Sequence, residues 1–348
     1  MKNDALVRPA VGFRSESTID DQPRSFSSRN RVTALHRMRA MRGGTRSQLM
    51  FGSNSRCWVV KFQNNPQHYR VLANEWLASS LARLVGLSVP ETAVVDVDPW
   101  LVKASPFLAN GVGNGKQGPW ASGPSFGSLY AGGLIPGSVL DILPENGLQK
   151  VINLQEFLGM LVLDKWTGNS DARQAVFVRQ PNRKNYKAVF IDFGHCFNAG
   201  SWTFPDSPLS GVYAKKSVYG NVTGWRCFEP WLSKIQNISL ETLRECADGM
   251  PSEWYGGRVD LIEAILNRLH RRKDLITSLI HQYRMSDANP FPKWKPCPSE
   301  TRNILRFGNP ASLVWHGQLG VEGDTRLHAH LLHPTLQGPI WPQGDAHG

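Results

Sequence analysis

Two aspartates and a glutamine lie at the ends of a short segment with the pattern of a β-hairpin. Asp171 and Gln174 come just before and at the start of the first β-like run, and Asp192 follows the second run. The polar residues 180–185 between the runs predict the turn. Because neighbouring strands lie only ~4.8 Å apart, the two ends of a hairpin meet. The sequence therefore predicts that Asp171, Gln174 and Asp192 converge.

This grouping fits the chemistry of phosphoryl transfer. One carboxylate orients or deprotonates the acceptor hydroxyl, and further oxygen ligands hold Mg²⁺ against the phosphates. Asp171 fits the first role, and Gln174 with Asp192 fits the second. Each aspartate alone also fits an ordinary turn or strand end. The joint pattern of Asn-x-Asp-x-Arg at 169–173, a hairpin and Ile-Asp-Phe-Gly at 191–194 favours the functional interpretation.

A glycine-containing run at residues 42–47 precedes a β-like segment and is a candidate phosphate-binding loop. Backbone N–H groups in such a loop and its hydroxyls are donors that can cradle phosphate oxygens. The candidate donors are Gly43, Gly44 and Ser47.

Lys61 lies in the apolar run at residues 58–62. An ammonium inside an apolar strand needs an anionic partner, and a phosphate would supply one. Glu75, on the next predicted helix, is placed to pair with Lys61, as a strand lysine and a helix glutamate do in protein kinases. An alternative stays open, in which Lys61 reaches water from an edge strand and Glu75 is solvated.

The elements that position these residues are β-rich first and mainly α-helical afterwards. Short β-like runs within residues 31–62 predict a first antiparallel sheet. Residues 67–86 predict a helix that ends at Gly86, and residues 94–102 predict a strand. The glycine-dense residues 110–137 predict an irregular loop between lobes.

The second part of the chain has the patterns of helices. Residues 153–156, Asn-Leu-Gln-Glu, predict a capping box that opens a buried helix, and residues 240–247 and 259–283 predict further helices. We therefore expect a two-lobed α+β fold. Its predicted parts are a flexible tail at 1–30, a β-rich N-lobe at 31–138, a mainly α-helical C-lobe at 139–288, and a loosely packed tail rich in Pro, Gly and His at 289–348.

Composition limits the class of protein and its partners. The 348 residues include 41% hydrophobic residues, enough for a core of ordinary size, which excludes a small or disordered protein. The net charge of +11 favours an anionic partner such as a nucleotide, an acidic protein or nucleic acid. Nucleic acid is the less favoured partner, because the basic excess is diffuse or N-terminal and lacks interleaved aromatic residues.

The cysteines, the histidines and the hydropathy of the sequence indicate the compartment of the chain and whether it binds metal or membrane. The five cysteines are scattered and odd in number, which fits a reducing cytoplasm better than a disulfide framework or a zinc knuckle. No apolar run reaches the ~18 residues of a membrane span, and the first thirty residues lack the apolar middle of a signal peptide. His328, His330 and His333 lack a convincing fourth ligand, so we expect a solvated His-rich tail rather than a metal site.

Together these residues resemble the HipA-like kinase domain family, relatives of the bacterial high-persistence toxin kinase. The resemblance spans about residues 33–283. It rests on the run 42–47, Val60-Lys61-Phe62, Asn74-Glu75 through Leu87-Ser88-Val89-Pro90, Gly168-Asn169-Ser170-Asp171 and Ile191-Asp192-Phe193-Gly194.

The resemblance implies a protein-kinase-like fold that binds ATP and Mg²⁺ and phosphorylates a Ser or Thr hydroxyl. Asp171 is then the catalytic aspartate, Asp192 binds metal and Lys61 contacts the ATP phosphates. The family usually continues as Asn-x-Asp-Arg-His-x-x-Asn, whose last Asn binds metal, whereas here the run is shorter and ends Asp171-Ala172-Arg173-Gln174. Gln174 offers the same amide oxygen on a side chain one methylene longer.

Other interpretations stay open. The altered loop at 171–174 also fits a pseudokinase that binds nucleotide or a partner protein without turnover. A basic nucleic-acid-binding protein is another alternative, and it predicts salt-dependent binding of DNA or RNA. For a kinase, a protein Ser or Thr is the favoured acceptor, and a small-molecule or lipid hydroxyl stays open as an alternative because a fold does not determine its substrate.

Overall fold

A computed structural model of the chain describes most of the segment between the two predicted tails. The described residues are 31–110, 112–113, 116–132, 137–180 and 184–295. The tail at 1–30, residues 296–348 and the three histidines within them lie outside this part. Among the described residues, no helix is long and apolar enough to cross a membrane.

The structure contains both strands and helices. In chain order the strands are β1 Arg31–Ala40, β2 Gln48–Gly52, β3 Cys57–Lys61, β4 Thr92–Val97, β5 Val112–Gly113, β6 Lys116–Gln117, β7 Gly123–Leu129, β8 Val139–Leu140, β9 Gln174–Arg179 and β10 Tyr186–Ile191. The α-helices are α1 Val71–Leu84, α2 Pro99–Ala104, α3 Pro106–Ala109, α4 Glu145–Leu148, α5 Glu156–Thr167, α6 Trp231–Gln236, α7 Leu240–Ala247, α8 Val259–Arg272 and α9 Ile276–Met285.

The predicted first sheet is present and closes into a small barrel in the order β1-β2-β3-β7-β4. Strands β1, β2 and β3 pair in antiparallel fashion, as expected, whereas β1 and β4 pair in parallel and close the barrel. Side chains alternate along a strand, and at the start of β1 Val32 and Ala34 are buried while Arg31 and Thr33 are exposed. Val32 and Ala34 pack with Trp58 and Val60 in a hydrophobic core inside the barrel.

The predicted irregular loop at 110–137 is wrong for residues 123–129, which form strand β7 between β3 and β4. Glycine and serine have low β-propensity, but here they meet a packing requirement. A Cβ on Gly127 would lie 2.3 Å from Cγ2 of Val95, so a side chain does not fit. The glycines therefore allow close approach inside the barrel instead of marking a loop.

The predicted strand at 94–102 ends early. β4 stops at Val97, and Asp98 then caps helix α2, because its Oδ1 accepts a hydrogen bond of 2.7 Å from the backbone N–H of Trp100. Pro99 occupies the first helical position, where a missing N–H costs nothing.

Helix α1, predicted at 67–86, runs from Val71 to Leu84 and is buried over most of its length. Its buried residues include the polar pair Asn74 and Glu75, which are 0% and 3% exposed. Buried polar groups require partners. Helix α1 therefore carries polar contacts as well as apolar packing.

Helix α5 is buried from Phe157 to Thr167, but the predicted capping box at 153–156 is wrong. The amide of Asn153 instead bonds to the backbone N–H and C=O of Ala188, at 2.9 Å each. The Glu156 carboxylate accepts from the backbone N–H and hydroxyl of Ser88, at 2.7 and 3.0 Å. Tertiary contacts have replaced the local cap, and they join α5 to β10 and to the segment after α1.

The later helices follow the predictions closely. Helix α7 covers Leu240–Ala247 as expected, while the single helix predicted at 259–283 is divided into α8 and α9 by a 3₁₀ turn at Lys273–Leu275. The prediction of a loosely packed tail from residue 289 is wrong at its start, since Phe291 is 3% exposed and packs among other aromatic rings.

Candidate functional site

The predicted hairpin is confirmed. Strands β9 and β10 pair in antiparallel fashion from Arg179 with Tyr186 to Gln174 with Ile191. Asp192 follows this last pair, and its Oδ2 accepts a hydrogen bond of 3.0 Å from Nε2 of Gln174. Its backbone has φ of +62°, a left-handed conformation that aspartate tolerates better than most residues.

One cavity of about 850 Å³ brings the sequence-predicted site residues together. Both the upstream and the downstream candidates line it. They are Gly43, Gly44, Ser47, Lys61, Glu75, Asp171, Gln174 and Asp192.

Lys61 lines this cavity and lies between two carboxylates. Its ammonium donates to Oε1 of Glu75 and, at 2.8 Å, to Oδ1 of Asp192. The side chains of Lys61 and Glu75 are almost fully buried, whereas that of Asp192 remains 24% exposed. The solvated-lysine alternative is therefore wrong, and Lys61 connects β3, α1 and the end of β10.

The charges set the protonation state of this group. The positive charge of Lys61 outweighs burial and lowers the pKa of Asp192 to about 2. Burial alone would lower the pKa of Lys61, but the charges of Asp192 and Glu75 raise it above its ordinary value. At neutral pH, Asp192 is thus ionised and Lys61 is charged.

Asp171 lines the cavity and is exposed to solvent. Its side-chain Oδ1 accepts a hydrogen bond of 2.7 Å from the backbone N–H of Ala172, which orients the carboxylate. Its backbone carbonyl accepts a hydrogen bond of 3.0 Å from Gly211 N–H, and its own N–H donates to Oδ1 of Asn169 at 3.1 Å. The backbone of the loop is therefore fixed on both sides of an exposed carboxylate.

A buried ion pair below the loop was not predicted. Asp164, on α5, accepts from Nε of Arg173 at 2.9 Å, and the side chains are 0% and 1% exposed. Arg173 also donates from Nη1 to the carbonyls of Ile191 and Asp192, at 2.9 and 3.1 Å. Asn169 donates to Oδ1 of Asp164 at 3.0 Å. The pair therefore joins the loop with Asp171 to the residues around Asp192.

One feature of the sequence could have indicated this pair. Asp164 lies within the apolar run of helix α5, where a carboxylate requires a partner. The identity of the partner depends on tertiary structure, because Arg173 lies beyond the end of the helix.

The candidate phosphate-binding loop is a turn between β1 and β2. Gly43 has φ of +118°, a conformation that favours glycine, and the turn is closed by a hydrogen bond of 2.8 Å from Met41 N–H to the Ser47 carbonyl. The hydroxyl of Ser47 is buried and lies 2.9 Å from that of Thr45. The backbone of the loop is thus better placed for a ligand than the Ser47 hydroxyl.

Comparison with known proteins identifies the family. Residues 34–279 match the model of the HipA-like kinase family, which is well over half of the chain. The chain belongs to the HipA-like kinase family. No curated protein matches it.

Several solved structures are similar to the HipA-like chain at low identity. The Golgi casein kinase with Mn/ADP bound shares 14% identity at a TM-score of 0.44, over 74% of this chain and 75% of that one. The Helicobacter pylori kinase CtkA shares 14% at 0.45, over 74% and 99%. A chain of the Shewanella oneidensis HipA, HipB and operator DNA complex shares 13% at 0.36, over 76% and 70%. Likenesses this distant assign no role to individual residues.

Proposed function

We propose that this HipA-like chain is an active kinase that transfers the γ-phosphate of ATP to a hydroxyl, most favourably that of a Ser or Thr residue in a protein. The observation that supports it is the meeting of Asp171, Gln174, Asp192 and the Lys61–Glu75 pair in one cavity. In this proposal the barrel with α1 is the N-lobe, the helices after residue 138 form the C-lobe, and ATP binds between them.

The cavity fits ATP in size and in lining. Its volume of about 850 Å³ lies within the range of small-molecule sites. Val59, Leu129 and Ile191 supply apolar walls for a base. The backbone of Gly43 and Gly44 and the charged Lys61 supply contacts to phosphates.

The carboxylates and the amide fit a magnesium site. Hard oxygen ligands suit Mg²⁺, and Asp192 is ionised at neutral pH because Lys61 lowers its pKa. Gln174 now donates its amide nitrogen to Asp192, so a half turn of the amide is needed to direct its oxygen at an ion. A bound Mg²⁺ would neutralise charge that develops on the phosphates.

In this proposal each of the protein residues has its own role in phosphate transfer. Asp171 accepts the proton of the acceptor hydroxyl as that oxygen attacks the γ-phosphorus and the bond to the β-phosphate oxygen breaks. Lys61 neutralises phosphate charge, and Glu75 keeps Lys61 in position. Arg173 and Asp164 fix the distance between the loop of Asp171 and the end of β10.

Incubation with γ-labelled ATP and cell lysate tests this proposal. We expect label on Ser or Thr of a protein, and Mg-ATP at ~100 times its dissociation constant should stabilise the fold by about 2.7 kcal/mol. A melting temperature unmoved by saturating Mg-ATP would contradict nucleotide binding. Label found on a lipid or small molecule would correct the acceptor class and leave the kinase proposal intact.

The second candidate is a pseudokinase. The observation that favours it is the loop Asp171-Ala172-Arg173-Gln174, which is shorter than the family pattern and carries Gln174 in place of the metal-binding Asn. Gln174→Ala separates the two candidates: in an active kinase it raises the metal concentration required, and excess Mg²⁺ or Mn²⁺ partly restores transfer. If ATP binds but wild type and every variant transfer nothing with either metal, the pseudokinase is correct.

A further inference from the structure

The segment 194–202 begins two residues after Asp192 and contacts the buried side chain of Asn74 on helix α1. Asn74 is 0% exposed. Its amide nitrogen donates to the carbonyls of Gly194 and Ala199, both at 2.8 Å. Its amide oxygen accepts from Nε1 of Trp202 at 2.7 Å. Asn74 thus contacts the start, the middle and the end of this segment.

Arg70, directly before α1, and Val71, the first residue of α1, add contacts to the same segment. Arg70 donates from Nη1 to the carbonyl of Gly200 at 2.9 Å, and its guanidinium lies 4.4 Å from the ring centroid of Trp202. Val71 packs on Gly194 so closely that a Cβ there would lie 2.7 Å from its Cγ1. The first turns of α1 and the segment 194–202 therefore form one packed unit.

The segment needs these contacts because of its backbone. Phe197, Asn198 and Ala199 have consecutive φ values of +60°, +65° and +52°, and Trp202 has +57°. Left-handed backbone is unfavourable for residues other than Gly, Asn and Asp. Such conformations persist only where the surroundings determine them. Asn74 and Arg70 provide those surroundings.

Two residues that are close in sequence to this unit accept hydrogen bonds from the ammonium of Lys61. Asn74 is followed by Glu75, and the segment is preceded by Asp192 and Phe193, while Glu75 and Asp192 are the two partners of Lys61. A change in the contacts of Asn74 therefore acts on both carboxylates at once.

We propose that Asn74 is a positioning residue that couples the placement of Glu75 to that of Asp192. Its catalytic consequence rests on the proposed function, because Asn74 reaches the reaction through these two neighbours. The physical coupling between α1 and the segment 194–202 exists whether or not the chain transfers phosphate.

Two substitutions at residue 74 and one matched control test the coupling. Asn74→Ala removes three hydrogen bonds, and Asn74→Asp keeps the shape but directs a carboxylate oxygen at two carbonyl oxygens. Ile265→Ala is the control, since Ile265 is buried on α8 and its truncation lowers stability in the helical core. Trp202→Phe removes a single donor to Asn74 and should give a smaller effect of the same kind.

The measurements are hydrogen exchange of residues 193–202 and the Mg²⁺ dependence of transfer. In both Asn74 variants we expect exchange in this segment to accelerate and the Mg²⁺ concentration for half-maximal transfer to rise by about tenfold, with the KM for ATP changing less. Ile265→Ala should lower the melting temperature without either effect.

The outcomes separate this proposal from the proposed function. If wild type transfers no phosphate, the proposed function fails, and the exchange measurement alone decides the coupling. Exchange that accelerates in the Asn74 variants and not in Ile265→Ala supports the coupling. Exchange that is unchanged in the Asn74 variants, or that rises equally in the control, overturns it.

Discussion

At the scale of single residues, the charges of the site meet at Lys61. The pKa of Asp192 is lowered to about 2 by Lys61, so its carboxylate contributes stability above the ~3.9 of an unfolded aspartate. That contribution is lost as the pH falls from about 4 through 2. Between pH 5 and 7, this carboxylate gives the wild-type protein no dependence of stability on pH.

Lys61→Met should make the stability of the protein depend on pH between pH 5 and 7. Glu75 and Asp192 then lack their shared counter-ion, so burial and mutual repulsion raise both pKa values. A folded state that binds more protons than the unfolded state gains stability as the pH falls. Denaturant unfolding should therefore show the variant becoming more stable from pH 7 towards pH 5. Parallel pH profiles for variant and wild type would contradict the shared ion pair.

The buried pair of Asp164 and Arg173 leads to a second residue-scale prediction. Asp164→Asn leaves Arg173 charged and buried, which should cost about 3–5 kcal/mol in the free energy of unfolding. The double variant Asp164→Leu, Arg173→Met replaces the pair with apolar groups and should regain most of that loss. It should still fail to transfer phosphate, because Arg173 no longer contacts the carbonyls of Ile191 and Asp192. A stable, fully active double variant would contradict the positioning role.

At the scale of elements, sequence patterns correctly predicted those elements that local interactions determine. The hairpin of β9 and β10 follows from its turn and its alternation, and α7 from its periodicity. Strand β7 was missed because Gly127 leaves room for the side chains of Val95 and Trp58 on neighbouring strands, which no local pattern reveals. The capping box failed for the same reason, since Asn153 and Glu156 have distant partners.

Strand β7 gives an element-scale prediction. Gly127→Ala places a Cβ 2.3 Å from Cγ2 of Val95, so the barrel must shift, and overpacking of this kind costs about 1–3 kcal/mol. Gly118→Ala is the matched control, because nothing lies within 4 Å of its added Cβ. Thermal unfolding should show a lower melting temperature for Gly127→Ala and a near wild-type value for Gly118→Ala. Equal values would mean that β7 does not pack as described.

At the scale of the whole molecule, the order of a β-rich part followed by a helical part could be predicted from sequence. The barrel core around Trp58 and the helical core around α5 are separate clusters of buried residues. The parallel pairing of β1 with β4 could not be predicted, because it joins residues about sixty positions apart. The convergence of the site could be predicted in its downstream half from the hairpin alone. Its upstream half depended on weaker signals, since an ammonium in an apolar strand indicated only that Lys61 needs an anionic partner and left a solvated Lys61 and Glu75 open.

The account depends most on Asp171 as the catalytic residue, and Asp171→Asn tests this most directly. Asn is nearly isosteric but cannot accept the hydroxyl proton, so γ-phosphate transfer should fall by at least about 100-fold while Mg-ATP binding stays within a few-fold of wild type. Transfer and binding should be measured on the same preparation, with Asp192→Asn as the variant expected to lose metal-dependent binding as well. Near wild-type transfer by Asp171→Asn would contradict the central claim.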